Sequence, residues 1–360
     1  MWKIILGVIL ALIIAAFSGF QWLIQSIEGD VRANPDIMPA HIPYIANAMP
    51  ATRGTILMVL TSTDVMGNSD KPTGYELSEL ARAYYVFSAN GFAVEIASIL
   101  GGTPPAVIDA DDMGDFDYAF LNDDQAQQKV RNSMPVSTLD ASRYRAVFFV
   151  GGKGAMFDFP DNPHLQTLIR QLYEQGNVVS GVCHGPAALV NVTLSDGTPL
   201  VADKRVSAFT NSEELLLISD AQEIFPFLLE TKLSQQQAEV VTGPDYLAQI
   251  AIDDRLLTGQ NPWSVWALAE EVVASLGYTP VARERTDEEH AVDVLLAYHH
   301  LGLEAAVVEA EQRIKAGLRL KKELIAVHAI LGIMQGDLGN TVGVIRLLSR
   351  INGLAQGGSL

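Results

Sequence analysis

An α/β fold built on a doubly wound, mostly parallel sheet is predicted for this 360-residue chain by three observations. Wholly apolar runs of strand length alternate with segments of helical period. The runs are apolar on both faces, as strands covered by helices on each side must be. Two of them lead straight into glycine-rich turns, and ligands of such sheets bind at the carboxyl ends of strands.

Taken in order, residues 4–27 carry no charge and are about as long as a helix that crosses a bilayer. Trp2 and Trp22 fall near the ends of the run and Lys3 precedes it, while Glu28, Asp30 and Arg32 follow. These features predict an uncleaved transmembrane anchor over residues 1–28, with the N-terminus cytoplasmic and the body extracytoplasmic (periplasmic). A cleaved signal peptide is the competing reading, because Ala16-Phe17-Ser18 is a passable cleavage site. Residues 29–53, with Pro35, Pro39, Pro43 and Pro50, read as a tether lying over the surface.

Residues 55–60 are the first buried strand, and a helix over 75–90 follows, closed by Gly91. A strand over 93–98 precedes the acidic, polar stretch 109–134, read as an inserted loop or cap. Residues 146–150 form the next strand and run into Gly151-Gly152-Lys153-Gly154. A helix over 164–175, a strand over 178–181 and a helix beginning near Pro186 come next. The body closes with a strand over 205–209, a helix over 212–218, a hairpin at 250–252 and 256–258, and a helix over 262–276. Beyond Tyr278 the pattern turns all-helical. Thr286-Asp287-Glu288-Glu289 is a capping box, and glycines at 302, 317, 336 and 339 divide about four short helices with apolar faces such as Leu324, Val327, Ile330 and Leu331.

Composition excludes some functions. With 42 acidic residues against 24 basic ones and a net charge of −18, the chain repels phosphate backbones, so no nucleic-acid partner is expected. A single cysteine forbids an intrachain disulfide. No Cys/His set has the spacing of a zinc site, and His41, His164, His290, His299, His300 and His328 are isolated or paired on an apolar helix, so no metal is expected.

That cysteine lies in Gly181-Val182-Cys183-His184-Gly185-Pro186-Ala187, a sharp turn between a buried strand and a helix. The arrangement is that of a nucleophile elbow, in which glycines permit a strained turn. Backbone N–H groups at the start of the following helix are expected to favour a thiolate.

The motif resembles the elbow of the Hsp31-like branch of the DJ-1/PfpI superfamily, and four other segments are similar to that branch in the same order. These are Thr73-Gly74 with Glu79 five residues on, residues 152–160 (Gly-Lys-Gly-Ala-Met-Phe-Asp-Phe-Pro), Phe209-Thr210-Asn211-Ser212-Glu213-Glu214, and Thr258-Gly259-Gln260-Asn261-Pro262. The resemblance implies a flavodoxin-like, doubly wound domain over 54–277, leaving 278–360 as an all-α appendage. It implies that Cys183 is the nucleophile, Glu79 a proton-moving carboxyl beside the sulfur, and His184 and Glu214 the other triad members. Gly152 and Lys153 fall in the oxyanion and substrate-binding loop, where close relatives often carry His in place of Lys153. Glu76 and Glu213 are the neighbours each acid could be confused with.

The implied activity needs no cofactor: a glutathione-independent glyoxalase taking methylglyoxal to lactate, or a deglycase acting on glycated protein. A membrane-anchored redox sensor or chaperone is the non-catalytic alternative, and a peptidase is a weaker one. A glutamine amidotransferase is disfavoured because no His-x-Glu occurs in the chain. The expected partners are a small aldehyde or glycated protein, the membrane, and an unnamed partner for the C-terminal helices, with a homodimer left open.

Overall fold

Ile56, Leu57, Met58, Val59 and Leu60 expose no surface, because they form the central strand of a sheet covered on both faces. The computed structural model describes residues 27, 30–110 and 113–357. These fall into two compact units, one over Ala33–Glu284 and one built on the helices from Arg285 onward.

The body has seven strands in its main sheet: β1 (Thr55–Leu60), β2 (Ala93–Ser98), β3 (Met134–Pro135), β4 (Ala146–Phe149), β5 (Val178–Val182), β6 (Ile250–Asp253) and β7 (Leu256–Gly259). Their order is β6-β7-β5-β4-β1-β2-β3, parallel except for the β6–β7 hairpin. The chain builds outward from β1 in one direction and then returns to build in the other. The switch therefore falls between β1 and β4, where a crevice opens at the strands' carboxyl ends.

Helix α1 (Leu77–Ala89) is buried along almost its whole length and covers one face, with Phe87 edge-on to Phe148 of β4 at 5.6 Å. Helix α2 (Pro163–Glu174) covers the other, where Leu165, Leu168, Ile169 and Leu172 join Leu57, Val59, Val147 and Val179 in one core. Each such fully buried side chain contributes about 1.5–3 kcal/mol of hydrophobic stabilisation. Helix α3 (Asn211–Leu217) and helix α4 (Val265–Ser275) complete the body as expected.

Four segments differ from the sequence reading, one of them 219–249, left without elements, where the helices Ala221–Ile224 and Leu229–Gln235 form. Residues 109–134 contain two helices, Asp115–Leu121 and Asp124–Arg131, and end in the edge strand β3. Their helical character is hidden by polarity: only Ala119, Phe120, Ala126 and Val130 among the apolar residues are fully packed, and a buried ion pair from Arg82 to Asp117 (3.1 Å) and an Asp123 N-cap add to them. The strand near 205 is only Arg205–Val206 and pairs with Glu239–Val240 in a separate small sheet. After Cys183 there is no α-helix but a buried five-residue 3₁₀ segment, Gly185–Leu189.

The single-pass, extracytoplasmic placement is corrected. Among the described residues no helix is long and apolar enough to cross a membrane. All but the last residue of the 4–27 run lie outside the described residues. An apolar run of that length permits a span without requiring one, because buried segments share its composition. The stretch before β1 is held on the body: Asn122 Nδ2 donates to Pro35 O (2.8 Å), Met49 N to Ala89 O (3.1 Å) and Thr52 N to Gly91 O (3.1 Å).

The second unit comprises α5 (Asp287–Leu301), α6 (Leu303–Lys315), α7 (Lys322–Met334) and α8 (Leu338–Gly357). Its first helix starts on the capping box expected, Glu289 N donating to Thr286 Oγ1 at 3.1 Å and Thr286 N to Glu289 Oε2 at 2.9 Å. Val294, Leu295, Ala306, Ala310, Ile325, Val344, Leu347 and Leu348 form its core. Leu324 is buried as its spacing suggests, whereas Val327 and Ile330 are exposed.

Candidate active site

Cys183 follows the last residue of β5 and takes a left-handed backbone, φ +59°. That conformation costs a non-glycine residue about 1–2 kcal/mol, and two hydrogen bonds hold it: Cys183 N donates to Gly259 O (2.9 Å) and Phe209 N to Cys183 O (3.0 Å). The glycines of the elbow are needed for space. A Cβ on Gly185 would sit 2.1 Å from Phe149 O, so this turn presses against the end of β4.

The turn aims the sulfur at its own neighbour. Cys183 Sγ lies 3.2 Å from His184 Nδ1, and His184 Nε2 lies 2.5 Å from Glu214 Oε2. With Glu214 accepting, Nε2 holds the ring hydrogen and Nδ1 presents its lone pair to the thiol. Phe209 (4.6 Å between centroids) and Phe225 (6.3 Å) stack obliquely on the imidazole and fix its plane. Glu214 reaches the site because Thr210 caps α3 and places residue 214 on the first turn.

Glu213, the rival, has other work. Its Oε2 accepts from Thr210 N (3.0 Å), and its Oε1 accepts from Tyr246 N (2.7 Å), Asn261 Nδ2 (2.9 Å) and Gln260 Nε2 (3.1 Å). Burial pushes its carboxyl up. It ties three loops together and does not touch the thiol's partners.

Glu79, on the first turn of α1, exposes no surface. Its Oε2 accepts from Gly151 N at 2.7 Å, and its Oε1 is buried without a full hydrogen bond. Burial pushes this carboxyl well above the usual range and the neighbouring Glu76 charge adds to it; contact with the Cys183 sulfur works the other way. Burial likewise pushes the thiol up, the Glu79 charge adds to that, and Lys153 opposes it. The expected lowering of the thiol by a helix start is thus corrected: the 3₁₀ segment is too short to supply one, and desolvation dominates. Glu76 is half-buried at the N-cap of α1, and its N–H donates to Gly151 O (3.1 Å).

Gly151 and Gly152 bring these parts together. A Cβ on Gly151 would lie 2.6 Å from Glu79 Oε2 and 2.8 Å from Cys183 Cβ. Gly152 has φ +100°, and a Cβ there would meet Gly74 O at 2.3 Å; a Cβ on Gly74 would itself lie 2.2 Å from Pro105 O, which explains the glycine of the Thr73-Gly74 motif. The buried N–H groups of Gly152 and His184 have no acceptor among the described residues. Two orphan donors beside a nucleophile are the arrangement that receives a developing oxyanion. Asp158 braces the same loop by accepting from Thr61 Oγ1 (2.8 Å) and Ser62 N (2.7 Å), and burial pushes its carboxyl up to about 6.

All the residues singled out from sequence therefore lie on elements that meet around Cys183. Gly151, marked in sequence only as part of a strand-end turn, and Phe225, passed over, also belong here. Gly151 holds Glu79 through its N–H, and Phe225 packs on the imidazole from a segment with no periodic signal.

A model of the DJ-1/PfpI family matches residues 72–275. The chain is 29% identical over 232 residues to glyoxalase 3 of Candida albicans, covering 61% of this chain and 97% of that protein. It is 31% identical over 216 residues to a glutathione-independent glyoxalase of Schizosaccharomyces pombe, covering 57% and 90%. Among solved structures it is similar to the glyoxalase III of Candida albicans, with TM-score 0.57 and 27% identity over 62% of this chain and 97% of that one.

Proposed function

Since the chain belongs to the DJ-1/PfpI family, we propose that it is a glutathione-independent glyoxalase that converts 2-oxoaldehydes such as methylglyoxal into 2-hydroxy acids without a cofactor. The observation that carries this reading is the line Glu79, Cys183, His184, Glu214: a buried carboxyl that keeps its proton on one side of the thiol and an imidazole–carboxylate pair on the other.

The thiol proton passes to His184 Nδ1 as Sγ adds to the aldehyde carbon, giving a hemithioacetal whose oxygen meets the free N–H groups of Gly152 and His184. Glu79 gives its proton to that oxygen and, now a carboxylate, takes the hydrogen from the carbon; His184 returns its proton to the ketone oxygen, and Glu79 delivers the hydrogen to the adjacent carbon and recovers the hydroxyl proton as the thioester carbonyl forms, so that the aldehyde carbon is oxidised and the ketone reduced within one molecule. The resulting thioester is cleaved by water, which releases the 2-hydroxy acid and restores the thiol.

Small substrates are favoured over glycated proteins because Cys183, His184 and Glu79 are at most 5% exposed. A peroxide sensor is disfavoured by the same burial and by a thiol pushed up rather than down. Methylglyoxal given to the purified protein without glutathione should disappear with formation of lactate. Cys183→Ala should reduce this to the buffer rate. Lactate formation by Cys183→Ala at the wild-type rate would sink the proposal.

A further inference from the structure

Lys153 is exceptional among the described lysines. Lys71, Lys204, Lys315 and Lys322 pair with carboxylates, Lys129 reaches the Tyr84 hydroxyl, and Lys232 lies over the Phe227 ring. Lys321 is engaged as well. Lys153 alone has no hydrogen bond, ion pair or ring contact from its ammonium, in a chain whose 42 acids outnumber its 24 bases.

Its position is not that of a solvated surface lysine. It is half-buried, and it follows the two glycines that press the loop against the thiol, Gly151 lying so close that a Cβ would come within 2.8 Å of Cys183 Cβ. The charge reaches the sulfur, since Lys153 is what opposes the upward push on the thiol. The chain thus holds near the nucleophile a cation whose ammonium no carboxylate pairs.

We propose that Lys153 is a specificity-determining residue that reserves this site for 2-oxoaldehydes bearing a carboxylate, the substrate bringing the missing anion. The proposal rests on the 2-oxoaldehyde reading above and names the substrate class within it. A carboxylate is favoured over a phosphate because one ammonium is a single point charge, whereas phosphate sites gather several donors or a helix N-terminus. The chemistry balances with water as the only co-reactant. With 4,5-dioxopentanoate, the thiol adds to the aldehyde carbon, a hydrogen moves to the adjacent ketone carbon, and water cleaves the thioester to give 2-hydroxypentanedioate. The distal carboxylate is untouched throughout and serves only for recognition.

The test compares 4,5-dioxopentanoate with its methyl ester, which keeps the skeleton and removes the charge. Wild-type kcat/KM should favour the acid about tenfold, as a charged hydrogen bond would. In Lys153→Met that ratio should fall to about one, and Lys153→Arg should restore part of it. A ratio equal in wild type and Lys153→Met, or a wild-type preference for the ester, would overturn the proposal while leaving the glyoxalase reading in place. Alkylation separates the two further, because it needs no turnover. The rate of Cys183 with iodoacetate relative to iodoacetamide should drop in Lys153→Met. If neither dioxo compound turns over yet this drop is seen, the anion site stands and the glyoxalase reading fails. If iodoacetate and iodoacetamide slow equally, Lys153 serves the thiolate alone and the proposal is wrong.

Discussion

On one side of Cys183 stands Glu79, sealed from water, with a single firm hydrogen bond from Gly151 and another acid, Glu76, close by. On the other stand His184 and Glu214, equally buried, but joined at 2.5 Å and backed by Phe209 and Phe225. Burial is common to both flanks, so burial alone does not set their chemistry. Where the nearby counter-charge, Arg82, is itself paired with Asp117, desolvation keeps the proton on the carboxyl, and the group becomes a donor that can surrender and recover a hydrogen. Where an acid is matched to an imidazole, the pair becomes an acceptor facing the sulfur. The asymmetry lets one thiol be deprotonated from one side while the substrate's hydrogen is moved from the other.

The carboxyl flank should be the more sensitive. Glu79→Gln keeps a hydrogen-bond donor but cannot shuttle a proton, so turnover of methylglyoxal should fall about 10²–10⁴-fold. Because Glu79 holds its proton, the amide changes no charge beside the sulfur, and the pH midpoint of Cys183 alkylation should stay where it is in the wild type. A variant that turns over at the wild-type rate would take the shuttle away from Glu79. A midpoint that moves downward would show that Glu79 is ionised beside the thiol.

The imidazole flank should respond less. Glu214→Gln leaves His184 in place but turns its preferred hydrogen-bond pattern, and a loss of about 10–100-fold in kcat/KM is expected for a partner acting through another residue. Retention of the wild-type bell in the pH–rate profile, with kcat also unchanged, would mean that Glu214 does not orient the ring.

The smallest effect on chemistry belongs to the neighbouring acid. Glu213→Ala strands the donors of Thr210, Tyr246 and Asn261, and should lower stability by about 1–3 kcal/mol in a denaturant titration. Activity per folded molecule should suffer less than in Glu214→Gln. A larger catalytic loss than that would reverse the roles given to the two adjacent glutamates.

Much of the body could be read from residue order. β1, β2, β4 and β5, α1 and α2, the final hairpin and α4 each carry a local signature: an apolar run bounded by turn residues, or a helical period closed by glycine. Local polarity misled at 109–134, where a few buried apolar residues (Ala119, Phe120, Ala126, Val130) and a buried ion pair to α1 hold helices whose other positions are acidic and polar. It misled again after Pro186, where a helix start was inferred and a short 3₁₀ turn is found.

The sequence by itself determined which residues are at stake. A lone cysteine between glycines at a strand end, and a glutamate at the right distance after Thr73-Gly74, are local facts that need no coordinates. Only the tertiary structure decided what each of them does. Glu76 and Glu79, or Glu213 and Glu214, are the same residue type close in sequence, and packing alone seals Glu79 against Gly151 and joins Glu214 to His184, while Glu76 stays half-buried at an N-cap and Glu213 is tied to Thr210, Tyr246 and Asn261. The protonation of Glu79 and of the thiol depends on solvent excluded by α1, β4 and the Gly151 loop together, and desolvation is a property of the packed assembly that no single segment carries.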